Sequence, residues 1–122
     1  MKLRFLFFAW IAIVYIGTST SFAQSTMEVG YFSFNEGTPG YTLNNGEGDR
    51  FVQLEIRFTK TFNSKPEIVF SIEQLDCSID GNVRYSVESS LVTRESFLLK
   101  IKTWQDTRIF AIRGKWIAIS ND

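Results

Sequence analysis

From Phe51 onward, period-two alternation of apolar residues dominates, and no segment shows the 3.6-residue spacing of an amphipathic helix. A segment with that pattern buries one side as an extended strand and wets the other, so the alternation dictates an all-β domain. Val52, Leu54, Ile56 and Phe58 point one way while Gln53, Glu55 and Arg57 point the other. After the turn at Asn63-Ser64-Lys65-Pro66, residues Glu67 to Leu75 set Ile68, Phe70 and Ile72 against Glu67, Ser71 and Glu73 with partial alternation, as expected of a central strand. Arg84 to Leu91 places Tyr85, Val87, Ser89 and Leu91 on one face. Phe97 to Trp104 turns Phe97, Leu99, Ile101 and Thr103 inward and Leu98, Lys100, Lys102 and Trp104 outward. Met27 to Phe34 and Arg108 to Ile119 supply a first and a last strand. Asn35 to Arg50, rich in glycine, asparagine and acids, is expected to be an exposed loop with a turn at Pro39-Gly40. Short strands separated by turn signals predict a six-stranded antiparallel β-sandwich.

The first 23 residues follow a different rule. Lys2 and Arg4 precede an uncharged apolar run from Phe5 to Ile16, which is followed by small and polar residues and by Ser21-Phe22-Ala23. The run falls short of the ~20 apolar residues that span a bilayer, so residues 1–23 read as an export signal cut after Ala23. A retained N-terminal anchor is the alternative. Cleavage leaves 99 residues of the 122 and no further membrane span, enough for one small domain. Within it we expect an N-terminal strand and loop segment, 24–44, followed by a domain at 45–122. The expected location is secreted or extracellular, which in a Gram-negative bacterium means periplasm or cell surface.

Charge and residue inventory exclude several functions. Loss of Lys2 and Arg4 leaves 11 basic against 13 acidic residues, without the basic surplus of a nucleic-acid binder. The lone cysteine, Cys77, has no intrachain partner and reads either as a small half-buried apolar residue or as a site of intermolecular pairing. Asp76 to Asn82 begins like a calcium loop, with oxygen ligands alternating and Gly81 sixth, but the twelfth position is Val87 and not glutamate. Asp80-Gly81 is therefore expected to be a tight turn, and no metal or other cofactor is expected. Glu73, Glu88 and Glu95 fall on wet faces or turns, and a chain with no histidine lacks the usual proton shuttle near neutral pH. The chain is not expected to be an enzyme.

A positive expectation comes from strand parity. Antiparallel strands that share an inward face pair odd with odd, because a slip of one residue would turn every side chain over. If Leu91 faces Phe97 across a five-residue loop, opposed residue numbers sum to 188 and Arg84 lies opposite Trp104; a slip of two residues moves the partner to Lys102 or Asp106 and keeps Trp104 within diagonal reach. An arginine and a tryptophan then share the solvent face at the open end of one hairpin. This arrangement suits a surface cation–π pair worth ~0.5–1 kcal/mol. It equally suits a sugar site, where the indole stacks on pyranose C–H groups and the guanidinium donates to vicinal hydroxyls.

The segments Phe70-Ser71-Ile72-Glu73-Gln74-Leu75-Asp76, Asn82-Val83-Arg84, Thr103-Trp104-Gln105-Asp106-Thr107 and Trp116-Ile117-Ala118 occur in the order found in H-type lectin domains. The region from Asn45 to Ile119 resembles that family, which includes snail agglutinin and the C-terminal domain of discoidins. The resemblance implies a six-stranded sandwich that binds galactose or N-acetylgalactosamine without a metal, homotrimers or hexamers, and roles such as cell adhesion. It implies that Arg84 hydrogen-bonds the sugar and that Trp104 lies in the binding loop. Gln105 stands where the snail protein has histidine, which bears on sugar preference. The family's binding acid maps onto Glu47, with Arg50 matching a family arginine, or, with a two-residue loop shift, onto Asp49. A different function remains compatible with these residues: a secreted structural or protein-interaction sandwich that has lost sugar binding at Gln105.

Overall fold

The computed structural model describes residues 25–121, so the export segment expected at 1–23 lies outside the described residues. Six strands form: β1 (Ser25–Asn35), β2 (Arg50–Arg57), β3 (Glu67–Cys77), β4 (Tyr85–Ser90), β5 (Ser96–Thr103) and β6 (Ile109–Asn121). They make two three-stranded antiparallel sheets, ordered β1-β6-β3 and β2-β5-β4. This is the sandwich that the alternation predicts. Among the described residues no helix is long and apolar enough to cross a membrane.

The space between the sheets is filled by side chains of the expected parity. Phe97, Leu99, Ile101 and Thr103 of β5 are all essentially buried, facing Phe32, Phe34, Ile112, Trp116 and Ala118 from the other sheet. An aromatic cluster occupies the middle. Phe58 lies 4.8 Å from Phe62, 5.7 Å from Phe97 and 5.9 Å from Trp116 between ring centroids, distances at which edge-to-face and tilted rings attract. Gly30 pairs with Trp116 across the β1–β6 ladder, and a Cβ there would sit 2.2 Å from the indole. The absence of a side chain at position 30 is what lets the tryptophan lie down.

Several expectations are corrected. β3 is an edge strand and β6 the central one. The partial alternation in β3 reflects a bulge between Ile72 and Gln74, after which Leu75 and Cys77 take over the inward face. The segment between β1 and β2 is not wholly exposed: Leu43 is fully buried, and its carbonyl accepts from the Ile109 amide at 2.9 Å. Leu91 is not inward but 77% exposed, beyond the end of β4 and in a left-handed conformation (φ 50°). That reversal sends Val92 toward the core in its place, and Thr93 closes the turn by accepting from the amides of Glu95 and Ser96 at 3.1 Å each. Leu54 has inward parity yet remains 47% exposed, on the edge strand β2.

Candidate carbohydrate-binding site

The β4–β5 ladder pairs Tyr85 with Thr103 and Ser86 with Lys102, so opposed numbers sum to 188, an even sum as parity requires and the one that a five-residue loop gives. Arg84 and Trp104 each stand one residue beyond the last ladder pair, Tyr85 and Thr103. Main-chain contacts lock this end. Thr103 Oγ1 donates to the Arg84 carbonyl at 2.5 Å. Thr107 Oγ1 donates to the Asn82 carbonyl at 2.5 Å and accepts from the Arg84 amide at 3.0 Å. Two buried threonines therefore fasten the 82–84 segment to the loop that carries Trp104, Gln105 and Asp106.

Arg50 fastens a third segment. Only 7% exposed, it donates through Nε to the Gly48 carbonyl at 2.9 Å, through Nη1 to the Thr107 carbonyl at 2.8 Å and through Nη2 to the Gln105 carbonyl at 2.8 Å. Burial, and secondarily the Arg108 guanidinium, lower its pKa, although an arginine remains charged throughout the physiological range. Because its fork is spent on carbonyls, Arg50 shapes the site rather than offering donors to a ligand. Sequence reasoning noted Arg50 only as a family match and gave Thr107 no role of its own. No local pattern marks what either of them does, since their partners lie 57 and 25 residues away.

Trp104 is half-buried and lines an open groove of about 460 Å³ together with Asp49, Arg50, Phe51, Lys100, Lys102 and Thr103. Of the two acids proposed for the loop, Asp49 borders this groove, and Glu47 is exposed elsewhere in the loop. Gln105 is exposed at the loop tip with a left-handed backbone (φ 56°), and its carbonyl is held by Arg50. The Arg84 guanidinium turns toward Asp106, Nη1 to Oδ1 3.0 Å, and does not stack on Trp104. The cation–π contacts among the described residues are Lys100 over Phe51 and Lys115 over Tyr31. Asp106 in turn borders a smaller groove of about 300 Å³ with Gly46, Ser78, Asp80, Gly81 and Arg108. Gly81 has φ +98°, the turn expected of Asp80-Gly81, and a Cβ there would meet the Asp106 carboxylate at 2.7 Å. Trp104 and Asp49 thus border the larger groove, and Asp106, the ion-pair partner of Arg84, borders the smaller one.

A rigid sandwich whose loops hold an aromatic side chain, donors and acceptors around an open groove is the build of a binding module. The chain belongs to the H-type lectin family, a non-enzymatic class: the H-type lectin domain matches residues 53–119. It is 29% identical over 77 residues to a discoidin-1 polypeptide of Dictyostelium discoideum, covering 62% of this chain and 30% of that protein. It is 28% identical over 88 residues to the ATP synthase subunits region ORF 7 product of Fuscovulum blasticum, covering 72% of this chain and 76% of that one. The structure of wild-type discoidin II from Dictyostelium discoideum shares the fold, with a TM-score of 0.72 at 24% identity over 82% of this chain and 38% of that chain. The chain therefore spans about a third of the length of the discoidins it matches.

Proposed function

We propose that this protein is an exported lectin that binds sugars of the galactose and N-acetylgalactosamine type. Trp104 packs against the sugar ring, Arg84 and the loop acid Asp49 or Glu47 read its hydroxyls, and Gln105 adjusts specificity. The observation that carries this reading is the shared groove of Trp104 and Asp49, inside a family of lectin domains. An indole supplies the apolar platform for pyranose C–H groups, and a carboxylate beside it accepts from hydroxyls. Arg84 uses only Nη1 on Asp106, which leaves further guanidinium donors for a sugar. A glycan array probed with residues 24–122 tests the proposal. Binding to galactose-type sugars that disappears in R84A supports it, and a blank array identifies instead a sandwich that has lost sugar recognition.

Single shallow sites of this kind bind weakly, and linked copies raise avidity without new contacts. Association into a trimer or a pair of trimers, which the family resemblance implies, is supported by the outer face of the β1-β6-β3 sheet. There Met27 is 59% exposed and Val29 and Val69 47% each, with Ile117 and Ile119 between them in register. Contiguous exposed apolar surface of this kind marks an interaction face. Export follows from the leader at 1–23, and an intact mass beginning at Gln24 is the expected result for the processed protein. A product that keeps residues 1–23 would overturn the claim of a cleaved signal.

A further inference from the structure

On the outer face of the β2-β5-β4 sheet one carboxylate, Glu88, stands beside two lysines, while Glu55 is paired with Arg57. Glu88 lies directly opposite Lys100 in the β4–β5 register, yet its Oε1 pairs with Lys102 Nζ at 2.9 Å. The Glu88 carboxyl is held below the ordinary range chiefly by its hydrogen bond from Lys102, with Lys100 adding attraction. Among the described residues Lys100 makes no ion pair. Its ammonium is held instead 4.3 Å above the centre of the Phe51 ring, a contact that fixes its position without neutralising its charge.

The same groove that Trp104 lines continues to this ammonium, so it has a polarity along its length. Asp49 is the only acid lining it among the described residues, and it precedes Arg50, whose ladder partner is Thr103. That places the carboxylate at the Trp104 end. Lys102 and Lys100 stand two and four residues along β5 from Trp104, about 7 and 13 Å away at strand rise. Arg50, opposite Thr103, commits each of its guanidinium nitrogens to a main-chain carbonyl. One end therefore suits a neutral, hydroxyl-bearing ring, and the other suits an anion.

We propose that the groove is an extended site for acidic glycans, with Trp104 and Asp49 holding a neutral sugar and Lys100 binding a carboxylate or sulfate on a neighbouring unit. This rests on the lectin reading above and deepens it by naming the substrate class. Lys100 is half-buried as a residue, and the Phe51 ring beneath its ammonium holds the charge in a fixed place, ready for an anion. The second sheet is otherwise close to balanced: Glu55 pairs with Arg57 at 3.3 Å, and Arg84 with Asp106 at 3.0 Å.

Titration calorimetry with chondroitin tetrasaccharides, in which N-acetylgalactosamine alternates with glucuronic acid, tests the proposal. Three forms serve as arms: sulfated, unsulfated, and unsulfated with the carboxyls reduced to alcohols, beside free N-acetylgalactosamine. The first two separate sulfate from carboxylate as the anion recognised. We expect at least one acidic form to bind about tenfold tighter than the carboxyl-reduced form, with that ratio falling to near one in Lys100→Gln and persisting in Lys115→Gln, a lysine on the opposite sheet. Equal affinities for acidic and reduced forms, while N-acetylgalactosamine still binds, overturn the acidic subsite and leave the lectin reading standing. A Lys100→Gln variant that weakens all arms alike also overturns it. Failure of every arm, N-acetylgalactosamine included, removes both readings.

Discussion

The Arg50 guanidinium donates to the carbonyl of Gln105 at 2.8 Å, and Gln105 sits in a left-handed conformation that few non-glycine residues adopt. The two facts are linked. The hydrogen bond holds a strained peptide in place, and with its bonds to Gly48 and Thr107 the same guanidinium couples the loop before β2 to the loop after β5. Asp49 and Trp104 border one groove because a buried arginine ties their loops together.

Arg50→Met is therefore expected to lower stability by about 3–5 kcal/mol, since it strands carbonyls that each received a charged hydrogen bond worth ~1.5–3 kcal/mol. Urea denaturation measures this. A loss below about 1 kcal/mol would show that the loops hold their positions without it.

Trp104→Ala and Arg84→Ala are each expected to abolish measurable binding to galactose-type sugars while costing less than about 1 kcal/mol of stability. Arg84 is anchored through its main chain by Thr103 and Thr107, so removing its side chain leaves the segment fastened. Calorimetric titration beside thermal melts decides the matter. Wild-type affinity in either variant would remove that residue from the site.

Tyr41 should titrate late. Its hydroxyl donates to the Ile109 carbonyl at 2.5 Å, and burial first, then Glu36 and Asp76, push its pKa up to about 12. The folded state holds this proton more tightly than the unfolded chain, whose tyrosines ionise near 10. The resulting stabilisation is fully present below about pH 10 and is lost as pH rises through the folded value near 12. Ultraviolet titration should show a late phenolate component that Tyr41→Phe removes. If the component survives the substitution, the assignment is wrong.

Val29→Glu places a charge in the middle of the apolar outer face, between Met27 and Tyr31 along β1 and opposite Ile117. The wild-type mature protein is expected to scatter light as a trimer, and the variant as a folded monomer. An unchanged mass in Val29→Glu would move the interface to another surface.

Strand identity, facing and hairpin register were legible in the sequence because side chains alternate with a period of two. Inward parity required only an even sum, the five-residue loop selected 188, and that register held even though Leu91, used to set it, left the strand. Family motifs at Thr103-Trp104 and Trp116-Ile117-Ala118 carried the identity in the same way, as local patterns. The tertiary structure alone decided that β6 runs between β1 and β3, that Leu43 is buried in what reads as a polar loop, and that Arg84 meets Asp106 rather than Trp104. It also set Asp49 rather than Glu47 beside the tryptophan groove. The physical reason is the same in each case. Alternation is a property of neighbours along the chain, whereas loop positions are fixed by polar groups such as Arg50 and Thr107, whose partners lie far off in sequence and which no local period reveals.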